Sequence, residues 1–175
     1  NIVPATIDLS SADIDLISNE KRSHLLHAAL RKKQQDKQKY DYILIDCPPS
    51  LNILTVNAMV ASHSVLIPLQ SEFFALEGLS QLLLTVKEVR QTANENLRVE
   101  GIVLTMFDGR NNLSKQVEAD ARSNLRELVF KTIIPRNVRV SEAPSYSMSV
   151  LTYDPASKGS KAYMSLAKEL LANNS

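Results

Sequence analysis

A chain of 175 residues, 44% apolar and 22% charged, has the composition of one soluble globular domain and the length to bury a core. Twenty basic against nineteen acidic residues leave a net charge of +1, so bulk charge points to neither a nucleic acid nor a membrane surface, and any basic patch has to be local. The single Cys47 excludes an intramolecular disulfide and fits a reducing cytosol, and no apolar run approaches the roughly 18 residues of a membrane span.

The opening "NIVPATIDL" carries no initiator Met and reads, at Ile2 to Val3, as the tail of a strand, which suggests a piece of a longer protein. Leu25, Leu26, Ala29 and Leu30 then form an apolar stripe at helical spacing. Tyr42 to Cys47 and Ser64 to Leu69 are strand candidates, followed by a second helical stripe, Leu79, Leu82, Leu83 and Val86. Gly101 to Phe107 predicts the next strand. Val117, Ala121, Leu125 and Leu128 predict a helix with Ser114 as its N-cap. Thr132 to Ile134 and, more weakly, Ser149 to Leu151 complete the strands, and Tyr163, Leu166, Ala167 and Leu170 mark the final helix. The runs "YILI", "VLIPL" and "GIVLTMF" are apolar on both faces, which is what a parallel sheet covered on both sides requires. The predicted fold is therefore a single domain, residues 1–175, of three-layer α/β architecture, a mostly parallel sheet with helices on both faces.

Ligands of such sheets bind beyond the carboxyl ends of the strands. Those ends read Asp46-Cys47-Pro48-Pro49-Ser50, Pro68-Leu69-Gln70-Ser71-Glu72, Thr105-Met106-Phe107-Asp108-Gly109-Arg110 and Pro135-Arg136-Asn137. An acid closing an apolar strand is the layout of a Walker B element, whose carboxylate holds Mg²⁺ on nucleotide phosphates directly or through water. The same pattern also suits an Asp that caps the next helix. Pro48 and Pro49 fix φ and cannot extend the strand, so a stiff turn follows the carboxylate.

Five collinear segments, "YDYILIDCPPSLNILTVNA", "PLQSEFFALEGLSQLL", "GIVLTMFDGRNNLSKQV", "IPRNVRVSEAPSYS" and "YDPASKGSKAYMSLAKELL", resemble successive signatures of the ParA/Soj chromosome-partitioning ATPases, the deviant-Walker branch of P-loop proteins. The resemblance covers nearly the whole chain. The nearest relatives to separate are the MinD-type septum-site ATPases, which usually end in a basic amphipathic membrane helix. The mixed-charge "KAYMSLAKELLANNS" favours a nucleoid partner over a membrane one.

The resemblance implies a catalytic Asp46 near Mg²⁺ and the attacking water, with the turn from Cys47 through Pro48 to Ser50 sensing the γ-phosphate of ATP. It places Pro135, Arg136 and Asn137 beside the adenine and Met106 on the pocket floor, although an ordinary strand-terminating turn gives the same "IPRN" residues. Arg110 and Arg139 match positions at which the family presents basic residues to DNA. Arg122, Arg126, Lys131 and Lys115 either widen that patch or form a solvated helix face. Binding by such a patch is to phosphates, without sequence preference and with strong salt dependence. Further implications are an ATP-dependent homodimer, nucleoid-associated in the cytoplasm, and a ParB-type partner that stimulates hydrolysis.

One departure bears on the chemistry. A P-loop needs clustered glycines whose N–H groups cradle phosphate, and the four glycines, Gly78, Gly101, Gly109 and Gly159, are scattered. Neither a Walker A motif nor the family's "DxDPQ" segment is present, so these residues read as the C-terminal part of a longer family domain and as an inactive ATPase by themselves. A nucleotide-free DNA-binding or interaction module is the alternative. His24, His27 and His63 have no partners at metal-ligand spacing, and Cys47 has no nucleophile constellation around it.

Overall fold

The computed structural model describes residues 1–11, 15–16, 18–34, 40–48 and 50–174. They fall into two compact units, Asn1–Val65 with Leu82–Arg98, and Leu66–Gln81 with Val99–Ser175.

In the first unit α1, Leu25–Gln34, packs on α2, Ile53–Ala61. Asn52 starts α2 by accepting the Leu54 and Thr55 N–H groups on its side-chain oxygen, which satisfies two of the donors a helix start leaves over. Asn57, buried in that helix, ties the pair together. Its oxygen accepts Leu26 N–H at 3.3 Å, and its amide donates to the carbonyls of Arg22 at 2.7 Å and Ile53 at 2.9 Å. Asn94 closes the other end of α2, donating to the carbonyls of Met59, Val60 and Ser62.

The second unit is built on β2, Arg98–Thr105, which leaves the first unit with its opening residue. β1, Ser64–Gln70, pairs with β2 in the regular sheet. On β2's other side, parallel bridges join Ile102 to Val129 and Phe107 to Pro135. Phe130 N–H donates to Ile102 O at 2.9 Å and Ile134 N–H to Leu104 O at 2.8 Å. β2 is thus flanked twice, and Gly101 through Leu104 are all buried. A core of Val103, Phe130, Ile134 and Leu166 is completed by Ala162 and Leu170. Of the remaining helices, α3 is Ala75–Thr92, α4 Asn112–Leu125, α5 Val138–Glu142, α6 Val150–Tyr153 and α7 Lys158–Asn173.

The α/β class and the four long helices agree with the sequence pattern, and several details differ. Tyr42–Cys47 joins no ladder among the described residues; an apolar run becomes a strand only where a neighbour supplies hydrogen bonds. β1 is open on one face, with Ile67 and Leu69 buried and Leu66, Pro68 and Gln70 exposed, although its sequence reads as apolar on both. Met106, at φ +53°, ends β2 two residues short of Phe107 because a left-handed residue breaks the extended run. Ser149–Leu151 is not a strand: the Ser149 hydroxyl accepts Thr152 N–H and opens α6. Ser114 is not the cap of α4. Asn111 takes that position, accepting Leu113 N–H, and Ser114 lies buried in the first turn with its hydroxyl donating to Ser71 O. Arg126 has left the α4 face on which Arg122 sits, its backbone at φ +44° past the helix end.

Candidate functional site

In the second unit the carboxyl ends of the β2 strand and of the 130–134 segment meet. Phe107 N–H donates to Ile134 O at 3.2 Å and Arg136 N–H returns to Phe107 O at 2.9 Å, so Met106 and Pro135-Arg136 are held in register by main chain alone. Met106 is 41% exposed and Pro135 half-buried, while the Arg136 side chain is exposed. Pro135 donates no hydrogen bond and restricts Ile134 to extended backbone; among the described residues the expected strand at Thr132 to Ile134 is not formed, and this segment meets β2 only through isolated bridges at Val129 and Pro135 and single hydrogen bonds. The Asn137 oxygen accepts Arg139 N–H at 3.0 Å and starts α5. Gly159 makes room for that arrangement, because a Cβ there would run into Val140 and press on the Asn137 amide. The residues proposed for base contacts therefore form one edge, on which Asn137 already serves as a cap.

Three of the basic residues on this unit are engaged by acids. Arg110 clasps Asp108 through Nε to Oδ1 at 3.1 Å and Nη2 to Oδ2 at 2.9 Å. Hydrogen bonds from the Arg110 side chain and backbone, with the positive charge of Arg136, hold the Asp108 carboxyl down at about 2. Arg139 pairs with Glu142 at 2.9 Å and with Asp154 at 3.4 Å, and the hydrogen bond to Glu142 raises its pKa further above the ordinary guanidinium range. Arg122 is used internally, bonded to Glu118 and to the Phe130 carbonyl. Lys115, Arg126 and Lys131 are exposed.

In the first unit Asp46 and Pro48 are exposed and lie on a segment with no regular secondary structure; Pro49 falls outside the described residues. The Cys47 thiol is pushed up by partial desolvation and by the adjacent Asp46 carboxylate, so it is less of a thiolate than a free cysteine, even though its side chain is exposed. A depression of about 470 Å³ opens beside Ile43 and Ile45, with His27, Arg31 and His63 in its lining, and Asp46 is not part of it.

A magnesium-bound triphosphate requires several oxygen ligands and a cradle of backbone N–H groups. Among the described residues no group of three His, Cys, Asp or Glu could hold a metal, and no two glycines stand close enough in sequence to form a phosphate loop. Among the described residues the donor set does not fit a complete Mg-nucleotide site. Among the described residues no helix is long and apolar enough to cross a membrane.

Comparison with known proteins gives consistent matches. The family described as "AAA domain" matches residues 1–99. The chain is 51% identical over 173 residues to the sporulation initiation inhibitor protein Soj of Bacillus subtilis, covering 99% of this chain and 67% of that protein. It is 51% identical over 172 residues to the chromosome partitioning protein ParA of Caulobacter vibrioides, covering 98% and 64%. Among solved structures, cobyrinic acid a,c-diamide synthase from Mycobacterium smegmatis with bound ADP and magnesium superposes with a TM-score of 0.76 at 36% identity, over 96% of this chain and 60% of that one. The chain thus spans about two-thirds of the length of the curated relatives it matches, 67% and 64% for these two.

Proposed function

The chain belongs to the family of Soj and ParA chromosome-partitioning proteins, and on that premise we propose that it is the larger part of an ATPase acting in chromosome or plasmid partitioning. The carrying observation is 51% identity over 173 residues, which takes in all five strand-end and helix segments. The whole protein would use ATP and Mg²⁺, dimerise, bind nucleoid DNA without sequence preference and respond to a ParB-type partner. Within it Asp46 would serve the Mg²⁺ and water side of the site and Pro48 the phosphate-sensing turn. Met106, Pro135, Arg136 and Asn137 would form the base-side edge.

These 175 residues alone do not hold Mg-ATP, a reading supported by the scattered glycines and by the lack of a metal-binding cluster among the described residues. Arg110 and Arg139 are the proposed phosphate contacts to DNA, each within reach of an acid that it must leave or share. Isothermal calorimetry of the chain with ATP and Mg²⁺ should show no heat of binding, and retention of duplex DNA should fall steeply with added salt. Micromolar nucleotide affinity would remove the first statement. Salt-independent retention would remove the second.

A further inference from the structure

Arg139 meets two acids on two different atoms of its guanidinium. Nη1 donates to Glu142 Oε2 at 2.9 Å, and Nε lies 3.4 Å from Asp154 Oδ2. A phosphate takes a guanidinium two-pronged along one edge, and of the two acids only Glu142 stands on the edge between Nη1 and Nη2. The acids also differ in what holds them. Asp154 is built into the start of α7, where its Oδ1 accepts Ser157 N–H at 3.1 Å and its carbonyl accepts the Ser160 hydroxyl at 2.6 Å. Ser160 is 1% exposed, and the same hydroxyl reaches Val150 O at 2.8 Å, so Asp154 is pinned between α6 and α7. α5 rests on that turn through Gly159, whose bare side faces Val140 and the Asn137 amide. Glu142, the last residue of α5, has a second donor instead. The Tyr153 hydroxyl, its ring stacked on Tyr146 at 5.0 Å, donates to the same Oε2 at 3.3 Å. Glu142 can therefore release Nη1 and keep a hydrogen bond, whereas moving Asp154 off Nε would break its bond to Ser157 N–H.

On the reading of Arg139 as a phosphate contact to DNA, we propose that Asp154 is its positioning residue. Asp154 stays on Nε as DNA arrives and turns the Nη1–Nη2 edge outward, while Glu142 is the acid that yields that edge to a phosphate. Immobilising one rotamer-rich side chain costs an association a factor of about two to ten. Asp154 orders Arg139 in advance, although the arginine side chain is 53% exposed. Charge alone predicts the reverse, since a carboxylate beside the contact repels DNA and its removal would raise affinity, most of all at low salt. Two acids on one arginine thus have opposite effects: loss of the Glu142 charge strengthens DNA binding, and loss of the Asp154 charge weakens it.

The test uses the 175-residue chain and a labelled duplex of about 20 base pairs and arbitrary sequence, read by fluorescence anisotropy across a salt series. Asp154→Asn keeps an oxygen for Ser157 N–H and removes the charge that faces Nε. It should weaken binding about three-fold or more at an unchanged melting temperature and lower the salt slope by about one, as Arg139→Gln does. In the Arg139→Gln background the same substitution should cost nothing. Asp154→Glu, which keeps the charge, should bind within about two-fold of the parent even where its melting temperature falls, and Glu142→Gln should bind more tightly than the parent. If Arg139→Gln binds as the parent does, the reading of Arg139 as a DNA contact falls and the role of Asp154 with it. If Arg139→Gln weakens binding while Asp154→Asn leaves it equal or tighter, the positioning role alone is overturned. A loss from Asp154→Asn that persists without Arg139, or that Asp154→Glu shares, also overturns it, because Asp154 would then act through the fold.

Discussion

Asp108 and Arg110 face each other two residues apart and form a two-point ion pair, 3.1 and 2.9 Å, with the Arg110 side chain 91% exposed. The guanidinium proposed to meet DNA therefore already has an anion. A phosphate must displace Asp108 or share Arg110 with it. Asp108→Asn should raise DNA affinity several-fold at low salt, and Arg110→Glu should lower it, in filter retention across a salt series. The carboxyl titrates near 2, below its ordinary range. The pair is thus fully present above the ordinary Asp range and is lost only as pH falls toward 2, so protonation of Asp108 will not change DNA affinity between pH 5 and pH 8.

Arg139 answers differently to the same substitution. It bridges Glu142 on α5 and Asp154 beyond α6, so Arg139→Glu sets three carboxylates together. Its melting temperature should fall, whereas that of Arg110→Glu should stay at the parent value. Glu142→Gln, which releases Arg139 in part, should increase DNA retention if Arg139 is a phosphate contact. Unchanged retention would assign Arg139 to holding α5 and α6 together.

Gly101 marks the closest approach in the second unit. A Cβ at this position would run into the Phe130 ring and come within 3.1 Å of Leu128 O. Gly101→Ala should cost about 1–3 kcal/mol by overpacking, read by urea denaturation. Phe130→Leu in the same chain should recover part of the loss, because it removes the ring that the methyl meets.

Glu169 fastens α7 to the segment leading to Pro135. Its carboxylate accepts Lys131 N–H at 2.7 Å and Thr132 N–H at 2.9 Å. Desolvation pushes this carboxyl up, but hydrogen bonds from Thr132 and Lys131 outweigh it, and the pKa lies below the usual glutamate range. A lowered pKa contributes stability above the unfolded value and loses it as pH falls through the folded one. Glu169→Gln should therefore cost about 1–2 kcal/mol at neutral pH, with the difference from the parent shrinking below pH 4.5. A constant difference down to pH 3 would show that the ionised form is not what binds the two N–H groups.

The sequence by itself determined the α/β class, the four long helices and the family. Each rests on local information: the apolar stripes of Leu25, Leu79, Val117 and Tyr163 need only their own spacing, and the strand-end residues are read in order along the chain. Only tertiary structure decided which apolar runs became strands. "YILI" and "GIVLTMF" look equally strand-like, but β2 has a neighbour on each side and Tyr42–Cys47 has no ladder among the described residues. Caps likewise depended on which side chain reached the free N–H groups, so Asn111 displaced Ser114 and Asn137 acquired a structural task. The basic residues show the same division: a one-letter reading counts Arg110, Arg122 and Arg139 as free cations, yet each charge lies within 3 Å of an acid. Periodicity records which face a residue occupies. Pairing across the fold depends on distance, and distance appears only once the chain has closed on itself.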